Sequence, residues 1–323
     1  HASGTGAVAV SAVTFTDPIT IRSPGLAGAI TVTGAFTTAA SNSAITFTAG
    51  TGDAGIFTLT AGAGNTIASG SGAITITADS IALNTTANTI TGTSTITLQP
   101  STAARPIVIG AAGAATDFAL STAEVASLTN GFTSITIGHA SGTGAVAVSA
   151  VTFTDPLTIR SPGTGGAITL GGNFSNTGGG TTFTFTSGTF NNSTFTIYSA
   201  GAITITAATS FTSSTGGTIT STTGGDITIT TNSIAIGDNI TSAGGNLTLR
   251  PNTAATAIGI AGGVEAFNLT TTEIAYLVDG FSSITIGRTD GTGLMTINTV
   301  SFNDPVNFYN YGDIKSDQDI EEI

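Results

Sequence analysis

Residues 1–25, HASGTGAVAVSAVTFTDPITIRSPG, return at 139–163 with a single change, Ile19 against Leu157, at an offset of 138. A third, looser copy, RTDGTGLMTINTVSFNDPVNF, begins at Arg288, 149 residues after the second. The match extends upstream of each junction. DFALSTAEVASLTNGFTSITIG at 117–138 aligns with AFNLTTTEIAYLVDGFSSITIG at 266–287, and TLQPSTAARPIVIG at 97–110 with TLRPNTAATAIGI at 248–260. The chain therefore divides into repeat unit 1 (1–138), which starts in mid-unit, repeat unit 2 (139–287), the start of a third unit (288–308) and a divergent acidic tail (309–323). Opening just after the missing counterpart of SITIG, it reads as a segment of a longer repetitive protein.

Within each unit the local period is two. AITITA stands at 73–78 and 202–207, DITIT at 226–230 and SITIG at both junctions. Successive strand side chains point to opposite faces, so this alternation puts Ile on one face and Thr on the other. Both residues are β-branched and suit a pleated surface. Gly, Asn, Ser and Asp punctuate the short runs, and the one helical candidate is STAEVASL at 121–128, with TTEIAYL at 271–277. Its N-cap would be Ser121 or Thr122. A sandwich array would need a bulky aromatic core in each unit, and the chain has no Trp. A propeller would repeat every 40–50 residues or so, which is not seen. The fold expected is all-β: a parallel β-helix, or β-solenoid, with short loop or helical excursions. Coils of roughly 20 residues would lie about 4.8 Å apart, apolar side chains inward and Thr and Ser outward.

Composition removes other classes. Only 7% of residues are charged, against about 25% in ordinary domains, and Thr is about one residue in five. With 40% hydrophobic residues the chain lacks the apolar deficit of disorder. Absence of Cys excludes a disulfide scaffold and Cys-ligated metal. A net charge of -12 opposes a phosphate backbone, so no nucleic-acid partner is expected. No apolar run reaches the length of a membrane-spanning helix.

The block LSTAEVASL…GFTSITIGH…GTGAVAV…VTFTDPLTI, followed by GAITL, resembles the repeats of large filamentous-haemagglutinin-like surface proteins of cyanobacteria and other Gram-negative bacteria. The resemblance covers most of the chain and is best at 97–163 and 248–308. It implies a right-handed parallel β-helix, export by two-partner secretion, and a secreted or surface-attached fibre serving adhesion or an outer layer. The segment corresponds to shaft.

No catalytic, cofactor-binding or metal-binding residue is assigned, and no enzyme activity is expected. His1 and His139 share one repeat position, where the third copy has Arg288; a solvated turn tolerates that exchange and a catalytic site does not. Acidic residues fall singly, at Asp53, Asp79, Asp117, Glu124, Asp226, Asp238 and Glu265, without the carboxylate pair that polysaccharide cleavage uses. Asp17, Asp155 and Asp304 each precede Pro. Ca²⁺ is the one cofactor they suggest, but a turn in which Asp caps its own backbone is the expected role. Glu124 and Glu273 are expected to close a helix start. The acids Asp313, Asp317, Asp319, Glu321 and Glu322 read as a solvated tail. Thr75/Thr77, Thr204/Thr206 and Thr228/Thr230 raise an ice-binding face as an alternative, although in sequence the motif recurs irregularly. The partner expected is the chain itself, by end-to-end stacking or covalent continuation of the repeats. Surface glycans are a further candidate.

Overall fold

The computed structural model describes residues 6–52, 54–178 and 181–316. The chain winds as an all-β solenoid of about 13 turns whose strands pair in parallel. It forms two compact units, His1–Ile168 and Thr169–Ile323.

In the first unit each coil contributes up to three short strands, which stack into three faces. One face runs through Val8–Val10, Ala29–Val32, Ile56–Leu59 and Ser80–Ala82. A second takes Val13–Thr14, Ala35–Thr37, Thr66–Ala68 and Ile90–Thr91. The third is the longest, with Ile19–Ser23, Ile45–Ala49, Ile74–Thr77, Thr95–Gln99, Ser134–Ile137 and Leu157–Ser161. The second unit has a corresponding third face of its own, with Phe183–Ser193, Ile203–Ser213, Ile227–Ala235, Asn246–Arg250, Ser283–Gly287 and Val306–Tyr309. Three of these strands run long and pass a corner through register shifts such as that between Ala207 and Ser210.

Where strands pair in parallel without a shift, register places like over like. On the third face of unit 1, Ile45, Ile74, Ile96, Ile135 and Leu157 form one inward ladder and Phe47, Ile76, Leu98, Ile137 and Ile159 the next, all buried. Phenylalanines pack together in the interior, where Phe36, Phe47 and Phe57 follow one another at 5.1 and 5.0 Å between ring centroids. A second run, Phe174, Phe183, Phe185 and Phe190, lies in unit 2.

The coils are not equal in length. Along the third face, paired residues are as few as 20 apart (Phe183 and Ile203) and as many as 39 apart (Ile96 and Ile135). The long step has one cause in both units. Ile107–Ile109 and Phe118–Leu120 are consecutive in sequence and pair in parallel, yet the earlier strand lies on the far side, against Ala145–Val148 of the next coil. The chain climbs one level, reverses, and returns beneath itself before resuming the coil. Unit 2 repeats this with Ile258–Ile260 between Phe267–Leu269 and Met295–Ile297. One extra strand is thereby wedged into a single face of the solenoid, once per unit. A short helix follows each wedge, Thr122–Val125 capped by Ser121 and Thr271–Ala275 capped by Thr270.

The reversal needs a left-handed residue. Gly110 takes it at φ 82° in unit 1, and its counterpart in unit 2 is Ala261 at φ 65°. A side chain in that region costs about 1–2 kcal/mol, partly offset by the greater freedom glycine has when unfolded. Ala261→Gly is therefore expected to raise stability by about 0.5–1 kcal/mol. Gly110→Ala should lower it further than that, because a Cβ there would sit 3.0 Å from the Val151 Cβ and 3.1 Å from the Ser149 carbonyl oxygen. Urea unfolding of the two variants checks the opposite signs.

Candidate functional surfaces

Most of the singly scattered acids among the described residues accept hydrogen bonds from backbone, Asp79, Glu124, Asp226 and Asp238 doing so between coils. Asp79 is wholly buried; its carboxylate accepts from the Ser101 hydroxyl at 2.5 Å and the Thr102 N–H at 2.9 Å, one coil on. Asp226 accepts from the Asn246 N–H at 2.8 Å. Asp238 takes the N–H groups of Gly216 and Asn239, both at 2.7 Å, and these hold its carboxyl below the usual range. Asp117 accepts from the Ala114 N–H within its own loop. Glu265 lies beside Gly263, next to the unit 2 wedge. Asp53, His1, Asp317, Asp319, Glu321 and Glu322 lie outside the described residues. His139 turns Nδ1 to the Ser141 N–H at 3.1 Å, in keeping with a turn residue.

At the Asp-Pro corners the carboxylate also reaches beyond its own turn. Asp155 Oδ1 accepts from the Gly131 N–H at 2.9 Å, 24 residues back, on the coil below. Asp304 does the same with Gly280 at 3.1 Å. Pro fixes the corner and turns the carboxylate along the solenoid axis, a direction local turn rules do not contain. Asp17, the same residue in the first copy, is exposed.

The glutamates close their capping boxes as the sequence indicates. Glu124 Oε2 accepts from the Ser121 N–H at 2.8 Å and hydroxyl at 2.7 Å, and Glu273 bonds Thr270 in the same way. Each has a second duty that sequence did not reveal. Glu124 Oε1 accepts from the Leu83 N–H at 2.9 Å, and Glu273 Oε1 from the Ile236 N–H at 2.9 Å, 41 and 37 residues back. One carboxylate thus starts a helix and ties it to the preceding coil.

The outward side of the third face carries a threonine ladder. Thr20, Thr46, Thr75, Thr97, Thr136 and Thr158 stand in register on six successive coils of unit 1. Unit 2 has Thr184, Thr204, Thr228, Thr248 and Thr285, then Asn307. The ladder corrects the irregular spacing read from sequence: coil lengths vary, but register restores the alignment in space. A second row, two residues on, is mixed. It holds Arg22, Thr48, Thr77 and Gln99 in unit 1 and Thr186, Thr206, Thr230, Arg250, Gly287 and Tyr309 in unit 2.

The first and second copies offer an internal control for the coil surface, since their sequences differ at one position. Val151, Phe153, Leu157 and Ile159 of the second copy are buried, covered by the coil that ends in Ser134–Ile137. Their counterparts Val13, Phe15, Ile19 and Ile21 are half-buried. At the third copy, Phe302, Val306 and Phe308 are also half-buried and line an apolar hollow of about 480 Å³.

Among the described residues, no three His, Cys, Asp or Glu side chains come together in an arrangement able to hold a metal ion. Nor, among the described residues, is any helix long and apolar enough to cross a membrane. No protein-family model, curated protein or solved structure matches the chain.

Burial, 3% exposed, pushes the Asp155 carboxyl above its ordinary value against the pull of the Gly131 and Phe132 N–H groups. A carboxyl raised in the folded state favours folding most when protonated. Its contribution is present below the unfolded value and is lost as pH rises through the raised one. Asp155→Asn keeps the Oδ1 acceptor without the charge, so at pH 7 it should be at least as stable as the parent, the difference shrinking as pH falls towards about 4. Asp155→Ala should lose about 1–3 kcal/mol by stranding the Gly131 N–H. Urea unfolding at both pH values checks the pattern, and equal losses in the two variants would contradict it.

Proposed function

We propose that the chain is a non-catalytic shaft segment of a secreted or cell-surface fibre, acting in adhesion or in an extracellular layer, with no cofactor. The observation that carries this reading is the use made of the chemistry-bearing side chains. Asp79, Glu124, Asp155, Asp226, Glu273 and Asp304 all link one coil to another. The solenoid is consistent with a structural repeat protein, and its filled interior leaves the outer faces as the working surface. The sequence resemblance to filamentous-haemagglutinin-like repeats supplies the extracellular setting.

Stacking of further coils on the terminal ones belongs to the same reading. The first copy carries the side chains that the second copy buries under a neighbour, so a coil of the kind at 117–137 fits against it, from a longer chain or from a second molecule. Electron microscopy and X-ray diffraction of concentrated samples test the second case. Unbranched fibres with a strand-spacing reflection of about 4.8 Å along the fibre axis are expected. Particles that stay monodisperse at every concentration would remove self-stacking from the proposal.

An ice-binding surface is a second reading, favoured by one observation, the unbroken threonine ladder of unit 1. Its methyl and hydroxyl groups repeat at the strand spacing along the axis and at every second residue along each strand. Thermal hysteresis that disappears in Thr75→Lys would support it. Freezing behaviour equal to that of an ordinary protein would exclude it.

A further inference from the structure

The two units carry the same backbone corner at the end of the third face but fill it differently. In unit 1, Gly138 at φ 113° leaves a gap in the outward row, and a Cβ there would lie 2.1 Å from the Arg160 carbonyl oxygen. The side chain of Arg160 folds over that gap. Its Nε donates to the Gly138 carbonyl at 3.0 Å, and its terminal nitrogen reaches the Gln99 side-chain oxygen at 3.4 Å.

In unit 2 the corner is Gly287, at φ 95°, and the residue beside it is Tyr309 in place of Arg160. The ring of Tyr309 is 45% exposed. A hollow of about 490 Å³ opens here, with Thr230, Thr248 and Thr285 among its lining. Arg250 replaces Gln99 and stands exposed, its Nε donating to the Thr230 hydroxyl at 3.0 Å. Arg288 replaces His139 and pairs with Asp290 through two bonds of 2.7 and 2.9 Å, while its remaining nitrogen donates to the Pro251 and Asn252 carbonyls.

The charges of these groups decide what the hollow can take. Arg288 pairs with Asp290, and among the described residues no carboxylate comes within ion-pair distance of Arg250, although the Asp290 charge reaches it across the hollow. A guanidinium with free N–H groups matches a carboxylate. An exposed aromatic face beside hydroxyls and planar polar groups matches a sugar ring, whose C–H face lies on the aromatic and whose hydroxyls bond the rim.

We infer that this hollow binds a carboxylate-bearing sugar of an acidic polysaccharide. Arg250 takes the carboxylate, the Tyr309 ring lies against the sugar, and the threonine hydroxyls bond the sugar hydroxyls. The site belongs to unit 2, because Arg160 occupies the equivalent space in unit 1.

Titration of the full chain with a short oligogalacturonate, followed by calorimetry and by NMR, tests this, with the methyl-esterified oligomer as the same sugar without its charge. The acidic oligomer should bind, and the ester about tenfold more weakly or less, as loss of a charged hydrogen bond implies. Arg250→Gln should weaken binding of the acidic oligomer by about tenfold. Tyr309→Arg, which restores the filled corner of unit 1, should abolish binding, and Tyr309→Phe should preserve it. Both positions are exposed, so unchanged thermal unfolding will show that each variant is folded. Equal affinity for acid and ester, undiminished binding by Tyr309→Arg or Arg250→Gln, or no binding of the acidic oligomer at millimolar concentration would each overturn the assignment.

Discussion

Parallel pairing in strict register is the constraint on which the rest of this molecule depends. A single coil buries nothing, since its apolar side chains face an interior that exists only when another coil lies above or below. Register converts a one-dimensional alternation into ladders, with Ile over Ile within and Thr over Thr outside. It explains why so few charged residues suffice. The interior is apolar, the exterior is made soluble by hydroxyls, and polar side chains are needed mainly where the backbone turns a corner and leaves N–H groups without a strand partner.

At those corners a carboxylate supplies a second acceptor for a neighbouring coil. Asp79, Asp155 and Asp304 are buried, and each accepts from backbone N–H or hydroxyl groups on the adjacent coil. The wedge strands interrupt coil-on-coil order once in each unit. Glu124 and Glu273 stand directly after them, each holding a helix start and the previous coil at once. Strand insertion and carboxylate tie recur together in both units, as parts of one device.

Much of this was legible in the amino-acid order. Ile-Thr alternation gave strands, the turn residues gave short coils, and S-T-A-E and T-T-T-E gave capped helix starts, because all of these depend on neighbours within a few residues. What lay beyond reach depends on which residue sits one coil away. The irregular sequence spacing of I-T-I-T conceals a straight threonine ladder, since 20 residues separate one pair of coils and 39 another. Asp155 reads as a turn residue until Gly131 is placed beneath it. The inverted order of Ile107–Ile109 and Phe118–Leu120 leaves no local trace at all. Tyr309 stands one residue past the third copy as read from sequence, so its place opposite Arg160, and the hollow it opens with the glycine corner and both arginines, came only with the strand register.

The most direct test of the central claim is disulfide formation between cysteines introduced on the threonine ladder, in a chain that has none of its own. Thr97 and Thr136 are 39 residues apart in sequence and directly paired in register. The double variant Thr97→Cys, Thr136→Cys should oxidise readily to an intramolecular bridge, because adjacent strands bring the Cα atoms to about 4.8 Å, within disulfide reach. Thr97→Cys with Thr158→Cys, two coils apart, should not. Failure of the first pair, or bridging of the second in its place, would contradict the register and with it the stacked-coil account.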